Sequence, residues 1–297
     1  MADPLYDGGY PALHDSANSA SLEGQKHFLR ALKVRLTGLL VSALGGALLI
    51  GGEESAVGGA VALAGFTVAL ACELYVSIAK PDRRWYEGRA AAESAKTLAW
   101  RYAVRGESFA EDTREVDRYF SDRVREVLED LKDLDLGGSK TGNREQISAM
   151  MREIRASTFE ERRSAYRDGR IEDQRDWYES KSVWNAKRRT WWLSGTIGAQ
   201  TIGMITGLIV LLDVVRIDLV GLIAAGAATM TSWSQAKQYS TLATAYGITA
   251  QELATIKSEI DSVPESEWAD YVGQAEEAIS REHTLWRASR GIRGPRF

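Results

Sequence analysis

The sequence predicts an all-α membrane protein with two transmembrane helical hairpins, four spans in all, whose long helices extend into a cytosolic helical bundle. Three observations predict it. Residues 36–52, 55–72, 190–212 and 219–236 are free of charge and apolar, each close to the roughly 20 residues a helix needs to cross a bilayer core. They fall into two pairs, each joined by a short polar turn: Gly52-Glu53-Glu54 in one, Asp213 to Asp218 in the other. Lys and Arg crowd the outer ends of the pairs and nearly vanish from the turns. The mean hydropathy of -0.25 is that of a soluble chain only because the rest of the sequence is so highly charged.

In chain order, residues 1–24 read as a polar, disordered arm. It lacks the apolar core and small-residue cleavage site of a signal peptide, so the first apolar stretch is retained as an anchor. Lys26, Arg30, Lys33 and Arg35 precede that stretch, and Lys80, Arg83, Arg84 and Arg89 follow the second. Lys181, Lys187, Arg188 and Arg189 precede the third, and Lys237 follows the fourth. The turns hold one basic residue, Arg216. This pattern places both termini and the connecting region of a multi-pass membrane protein in the cytoplasm, with both turns outside. Trp191, Trp192 and Trp233 lie at the inner ends, where an aromatic belt is expected. Core helices of a soluble domain would carry a polar stripe, which these lack.

Between the hairpins, residues 85–106 are rich in Ala, Glu, Arg and Lys, strong helix formers, with a bend expected at Pro81. Val116, Phe120, Val124, Val127, Leu131 and Leu134 recur at spacings of three and four, an amphipathic helix. Residues 137–143 form a Gly/Ser/Thr linker that separates two halves, 25–136 and 144–290, with a tail at 291–297. Residues 144–192 read as helix with a break near Gly169. Residues 234–262 read as helix bent at Gly247, with a new start at the Thr249/Glu252 capping box. A last helix begins at Ser266 and runs to about 290. The halves repeat each other in the same orientation, down to Ala79-Lys80 and Ala236-Lys237 at the inner ends. Such a parallel repeat has its axis along the membrane normal, and closes readily into a homo-oligomeric ring.

Composition excludes several function classes. A net charge of -4 argues against nucleic acid as the main partner, since binding its phosphates needs a clustered basic surface. Cys72 is the single cysteine and His14, His27 and His283 stand alone, so neither a disulfide framework nor a metal site is built from them. Asp135 to Thr141 lacks the glycine before the lysine that a phosphate loop needs, and no apolar strand leads into it. No nucleophile motif is present. The sequence predicts neither an enzyme nor a cofactor.

The candidate functional residues lie in or beside the membrane. Gly195, Ala199, Gly203 and Gly207 recur every four residues, and Gly38, Ser42 and Gly46 do likewise, allowing close packing within one chain or between copies. Glu73 is the one acid in an apolar segment; it either faces an ion path or sits in the interfacial zone near Lys80. Glu53, Glu54, Asp213 and Asp218 either ring an outer mouth that favours cations or are solvated turns. Gln200, with Thr196, Thr201 and Thr206, gives the third segment a polar face. Pro81 and Gly247 are the expected hinges.

Trp85-Tyr86-Glu87-Gly88-Arg89-Ala90, followed by Ala92-Glu93-Ser94-Ala95-Lys96-Thr97-Leu98-Ala99-Trp100-Arg101-Tyr102, resembles the segment after the hairpin in one of the SLATT families. Ala278-Ile279-Ser280-Arg281-Glu282-His283-Thr284-Leu285-Trp286 resembles the terminal motif of another. These are two-helix membrane effector domains associated with bacterial nucleotide-sensing conflict systems, and with their hairpins the two resemblances cover most of residues 25–290. The resemblance implies a pore-forming or membrane-perturbing effector, gated through its cytosolic helices by a sensor protein or a nucleotide, with antiphage defence as its setting. The other reading of the sequence is a non-conducting, membrane-anchored scaffold that recruits a cytosolic partner.

Overall fold

Every regular element among the described residues is helical. The computed structural model describes residues 3–6, 8–48, 55–111, 115–131, 145–212 and 219–289, with the backbone alone at 55, 130 and 281–289. The helices are α1 (Ala12–Leu48), α2 (Ser55–Ala79), α3 (Pro81–Ala103), α4 (Val116–Asp130), α5 (Ala149–Ala156), α6 (Phe159–Tyr166), α7 (Asp173–Leu211), α8 (Val220–Lys237), α9 (Tyr239–Glu259) and α10 (Trp268–Ser289). The linker at 137–143, the tail at 291–297 and the turn residues Glu53, Glu54, Asp213 and Asp218 lie outside the described residues.

Among the described residues, three helices are long and apolar enough to cross a membrane: Ala12–Leu48, Ala56–Ala79 and the continuous run Phe159–Leu211. α8 is not among them. Its 18 residues reach the length a span needs, but its second half is polar, with Thr229, Thr231, Ser232, Ser234 and Gln235.

The chain forms two compact units, each drawing on both halves of the sequence. A polar unit comprises Met1–Gln25, Arg83–Ser182 and Thr244–Phe297, and an apolar unit comprises Lys26–Asp82 and Val183–Ala243. In the polar unit, residues 12–24 are not an arm but the first turns of α1. Leu13, Ala17 and Ala20 are buried there at spacings of four and three, and ahead of them Leu5 and Tyr10 are buried too. Small residues on one face make this possible. A Cβ on Gly88 of α3 would lie 2.9 Å from the Ala17 carbonyl oxygen, so the two backbones nearly touch. On α4 the expected stripe is buried at Phe120, Val124 and Val127, and on α10 the stripe is Trp268, Val272, Ala275 and Ile279.

The helix breaks fall partly elsewhere than expected. Between α5 and α6 the chain breaks at Ser157-Thr158, where the Thr158 side chain and Glu161 form a full capping box. Gly169 breaks nothing: residues Arg167–Glu172 are a π-helical stretch that joins α6 to α7. α9 runs unbroken through Gly247 and Thr249; a Cβ at Gly247 would lie 3.1 Å from Ser182 Oγ, and Thr249 is buried inside the helix. The bend occurs instead at Gln238, in the left-handed region with φ 53°. Lys80 is left-handed too, with φ 44°, immediately before Pro81 opens α3. Both repeats thus separate their second apolar helix from the next helix by a single left-handed residue.

Candidate functional site

The apolar unit is packed tightly in its first hairpin and loosely in its second. A Cβ on Gly65 of α2 would come 2.5 Å from the Gly38 carbonyl oxygen, and one on Gly45 would come 2.4 Å from the Ala62 nitrogen. Gly38, Gly45 and Gly65, with the buried Ser42, therefore set a backbone-to-backbone approach of α1 and α2. Gly46, expected in that row, meets open space, and Gly45 takes its place. Between α7 and α8 the glycines face side chains and not backbone: a Cβ on Gly195 would lie 3.5 Å from Met230 Sδ, and one on Gly203 3.3 Å from Ile223 Cγ2. Gly207 meets nothing within 4 Å, and Ala199 is half-buried.

α7 turns a broad surface outward, including Ile197, Ile202, Met204, Leu208 and Leu211. The threonines of its apolar stretch are satisfied within the helix. Thr196 donates to the Trp192 carbonyl at 3.0 Å, Thr201 to Ile197 at 2.9 Å and Thr206 to Ile202 at 2.9 Å. Gln200 is exposed, and no hydrogen bond within the described residues satisfies its amide. Glu73 is not left as a bare charge, because Arg35 of α1 approaches it at 2.5 Å. Two residues on, Tyr75 pairs with His27 Nδ1 at 3.0 Å. These two cross-links place Glu73 in an α1–α2 clamp.

At the end of the apolar unit marked by Lys33 and Lys237, aromatic and basic residues converge. The Lys33 ammonium lies 5.5 Å and the Lys237 ammonium 6.0 Å from the centre of the Trp233 ring. Trp192 stands 6.4 Å from Trp233, and Arg188 lies 5.3 Å over Trp184, which packs on Tyr239. The aromatic belt expected from the sequence is therefore a cluster built by α1, α7 and α8.

The polar unit holds a buried ionic centre that sequence reasoning missed. Arg170, on the π-helical stretch, makes a two-pronged pair with Glu276 of α10, from Nε at 2.9 Å and Nη2 at 2.7 Å. Tyr166 and Thr97 donate to the same carboxylate at 3.1 Å and 2.9 Å. Both charged side chains are wholly buried, and Arg170 Nη1 has no partner. Burial opposes the charge on Arg170, but the Glu276 carboxylate outweighs it and holds the guanidinium's pKa above its ordinary value. Burial and the same carboxylate push the Tyr166 hydroxyl up. The one available signal was register, since Glu276 falls four residues after Val272 on the apolar stripe of α10.

Beside this centre the N-terminal segment is pinned. Tyr10 donates to the buried Asp3 carboxylate and accepts from the Trp100 indole at 3.1 Å, with the Lys96 ammonium 3.7 Å from Asp3. Gly169 is required here: a Cβ would lie 2.4 Å from Pro4 Cδ. Burial and the like charge of Arg170 lower the Lys96 pKa. A second anchor is Arg155, which donates to the carbonyls of Tyr102, Phe109 and Glu111.

Two family models match this chain in tandem. Residues 11–163 match "SMODS and SLOG-associating 2TM effector domain 3", and residues 166–286 match "SMODS and SLOG-associating 2TM effector domain 1". The chain belongs to the SLATT family. SLATT domains are two-transmembrane effector domains, so the apolar helices α1, α2 and α7 belong to a membrane effector with two such domains in series. No curated protein and no solved structure matches the chain significantly. The boundary between the two SLATT matches falls inside the continuous helix Phe159–Leu211, just before its π-helical stretch.

Proposed function

We propose that this tandem SLATT protein is a homo-oligomeric channel or pore-forming effector of the bacterial inner membrane. In this reading it spans the membrane four times with both termini cytoplasmic, and it is not an enzyme. The polar unit is the cytosolic receiver, on which a sensor protein or a nucleotide acts in conflict signalling or antiphage defence. The observation that carries the proposal is Gln200. It lies midway along the apolar stretch 190–212, exposed and without a partner among the described residues. An unpaired amide in hydrocarbon costs about 2–7 kcal/mol, so it is stable only against protein or water. A ring of copies supplies both. α8 spans with local thinning of the bilayer or with help from flanking residues.

The test is single-channel recording of the purified chain in planar bilayers, with the oligomer's mass measured in parallel. Discrete current steps are expected, and Gln200→Leu should reduce conductance or dissociate the oligomer. Unchanged steps and unchanged mass in that variant would remove the argument. The second reading, a non-conducting membrane-anchored scaffold, is favoured by the three threonines that satisfy their own hydroxyls. An intact oligomer that stays silent with its sensor protein present would decide for the scaffold.

A further inference from the structure

Lys33 and Lys237 come from different hairpins yet converge on one indole, that of Trp233. Neither ammonium makes an ion pair among the described residues, and the one titratable group that bears on Lys237 is Lys33 itself. Like charges brought together destabilise the chain unless an anion lies between or beside them. The same corner holds a further unmet donor, because the Trp192 indole N–H is buried without an acceptor. Donors therefore outnumber acceptors where α1 and α7 pass the C-terminal end of α8.

We propose that this corner is a binding site for the phosphate of an anionic lipid headgroup. The phosphate accepts from the Lys33 and Lys237 ammonium groups, and the Trp233 ring carries the adjoining glycerol and upper acyl region at the interface. Indole rings prefer that depth and lysines reach from it toward headgroups. Bound there, one lipid ties α1 of the first hairpin to α8 of the second. The proposal rests on the membrane placement of these helices and not on conduction.

The experiment is native mass spectrometry of the detergent-solubilised full chain titrated with phosphatidylglycerol, with phosphatidylcholine and inorganic phosphate as comparators. Wild type should retain phosphatidylglycerol in preference to phosphatidylcholine. Lys33→Gln/Lys237→Gln should weaken retention roughly 30-fold, and each single change about fivefold. Lys187→Gln/Arg189→Gln removes the same charge from exposed positions on α7 and should leave retention unchanged. The single variants keep the test valid where the double one misfolds. Equal loss in the α7 control would reduce the site to general attraction between a basic belt and anionic lipid, and would overturn it. So would absence of a headgroup preference in wild type. Displacement of the lipid by millimolar inorganic phosphate would assign the corner to a free phosphate ligand and overturn the lipid source.

Discussion

Arg170 and Glu276 are the residues whose loss should be felt most in the polar unit. Each is wholly buried and each neutralises the other. Glu276→Gln leaves a buried guanidinium without its counter-charge and should cost about 3–5 kcal/mol, whereas replacing both residues with apolar ones of similar volume should cost much less. Thermal unfolding of the two variants in detergent measures the difference, and equal losses would show that the pair is not the source. His14 offers a pH test. Burial, the larger influence, favours its neutral form over the pull of Asp15 at 3.1 Å, and lowers its pKa from 6.5. The folded chain thus holds fewer protons at this site than the unfolded one. Its contribution is present above the unfolded pKa and is lost as pH falls through the folded value. The unfolding midpoint should drop as pH falls below 6.5, and drop less in His14→Gln. An identical slope in that variant would remove His14 as the cause.

Among the elements, α1 and α2 are held by contacts too close to admit a side chain. Gly65→Leu must push the helices apart, since even a Cβ meets the Gly38 carbonyl at 2.5 Å. We expect a loss of about 2–5 kcal/mol, a magnitude seen for badly mismatched packing. Gly207→Leu, which enters open space, should leave the folded monomer unchanged; circular dichroism melts of both report it. Much of this level was legible in the sequence. Absence of charge located the apolar helices, and three-four spacing located the buried face of α4. The Gly38/Ser42 row was read correctly and slipped by one residue at its end, because Gly45 and Gly46 are chemically identical and only the helix crossing distinguishes them. Gly247 and Thr249 misled for a related reason: a glycine beside a packed neighbour serves close approach as well as bending. Gln238 was illegible, since nothing in a glutamine announces a left-handed backbone. The capping box at Thr158/Glu161 was legible and outcompeted by the more conspicuous Gly169. The ionic centre depends on partners more than a hundred residues apart in sequence, Arg170 with Glu276 at |i−j| 106, which no local pattern reports.

For the whole molecule, the decisive questions are whether copies assemble and whether they conduct. Neutralising Glu53, Glu54, Asp213 and Asp218 together should lower the preference for cations over anions in the reversal potential, if those acids stand at a mouth; an unshifted potential would return them to the status of solvated turns. The tandem arrangement adds a demand that a single domain does not face, because one helix, Phe159–Leu211, must finish one SLATT match and begin the next. It does so through six π-helical residues, Arg167–Glu172. A π turn accommodates an extra residue per turn, and excising one residue there restores the α spacing. Each residue of an α-helix advances the azimuth by about 100°. The stretch therefore works as an expansion joint: it takes up an extra residue within one helix, so that Gly169 lies against Pro4 and Arg170 reaches Glu276 with no break in the helical path. Deleting one residue within 167–172 would close that joint to plain α-helix and take Arg170 out of line with Glu276.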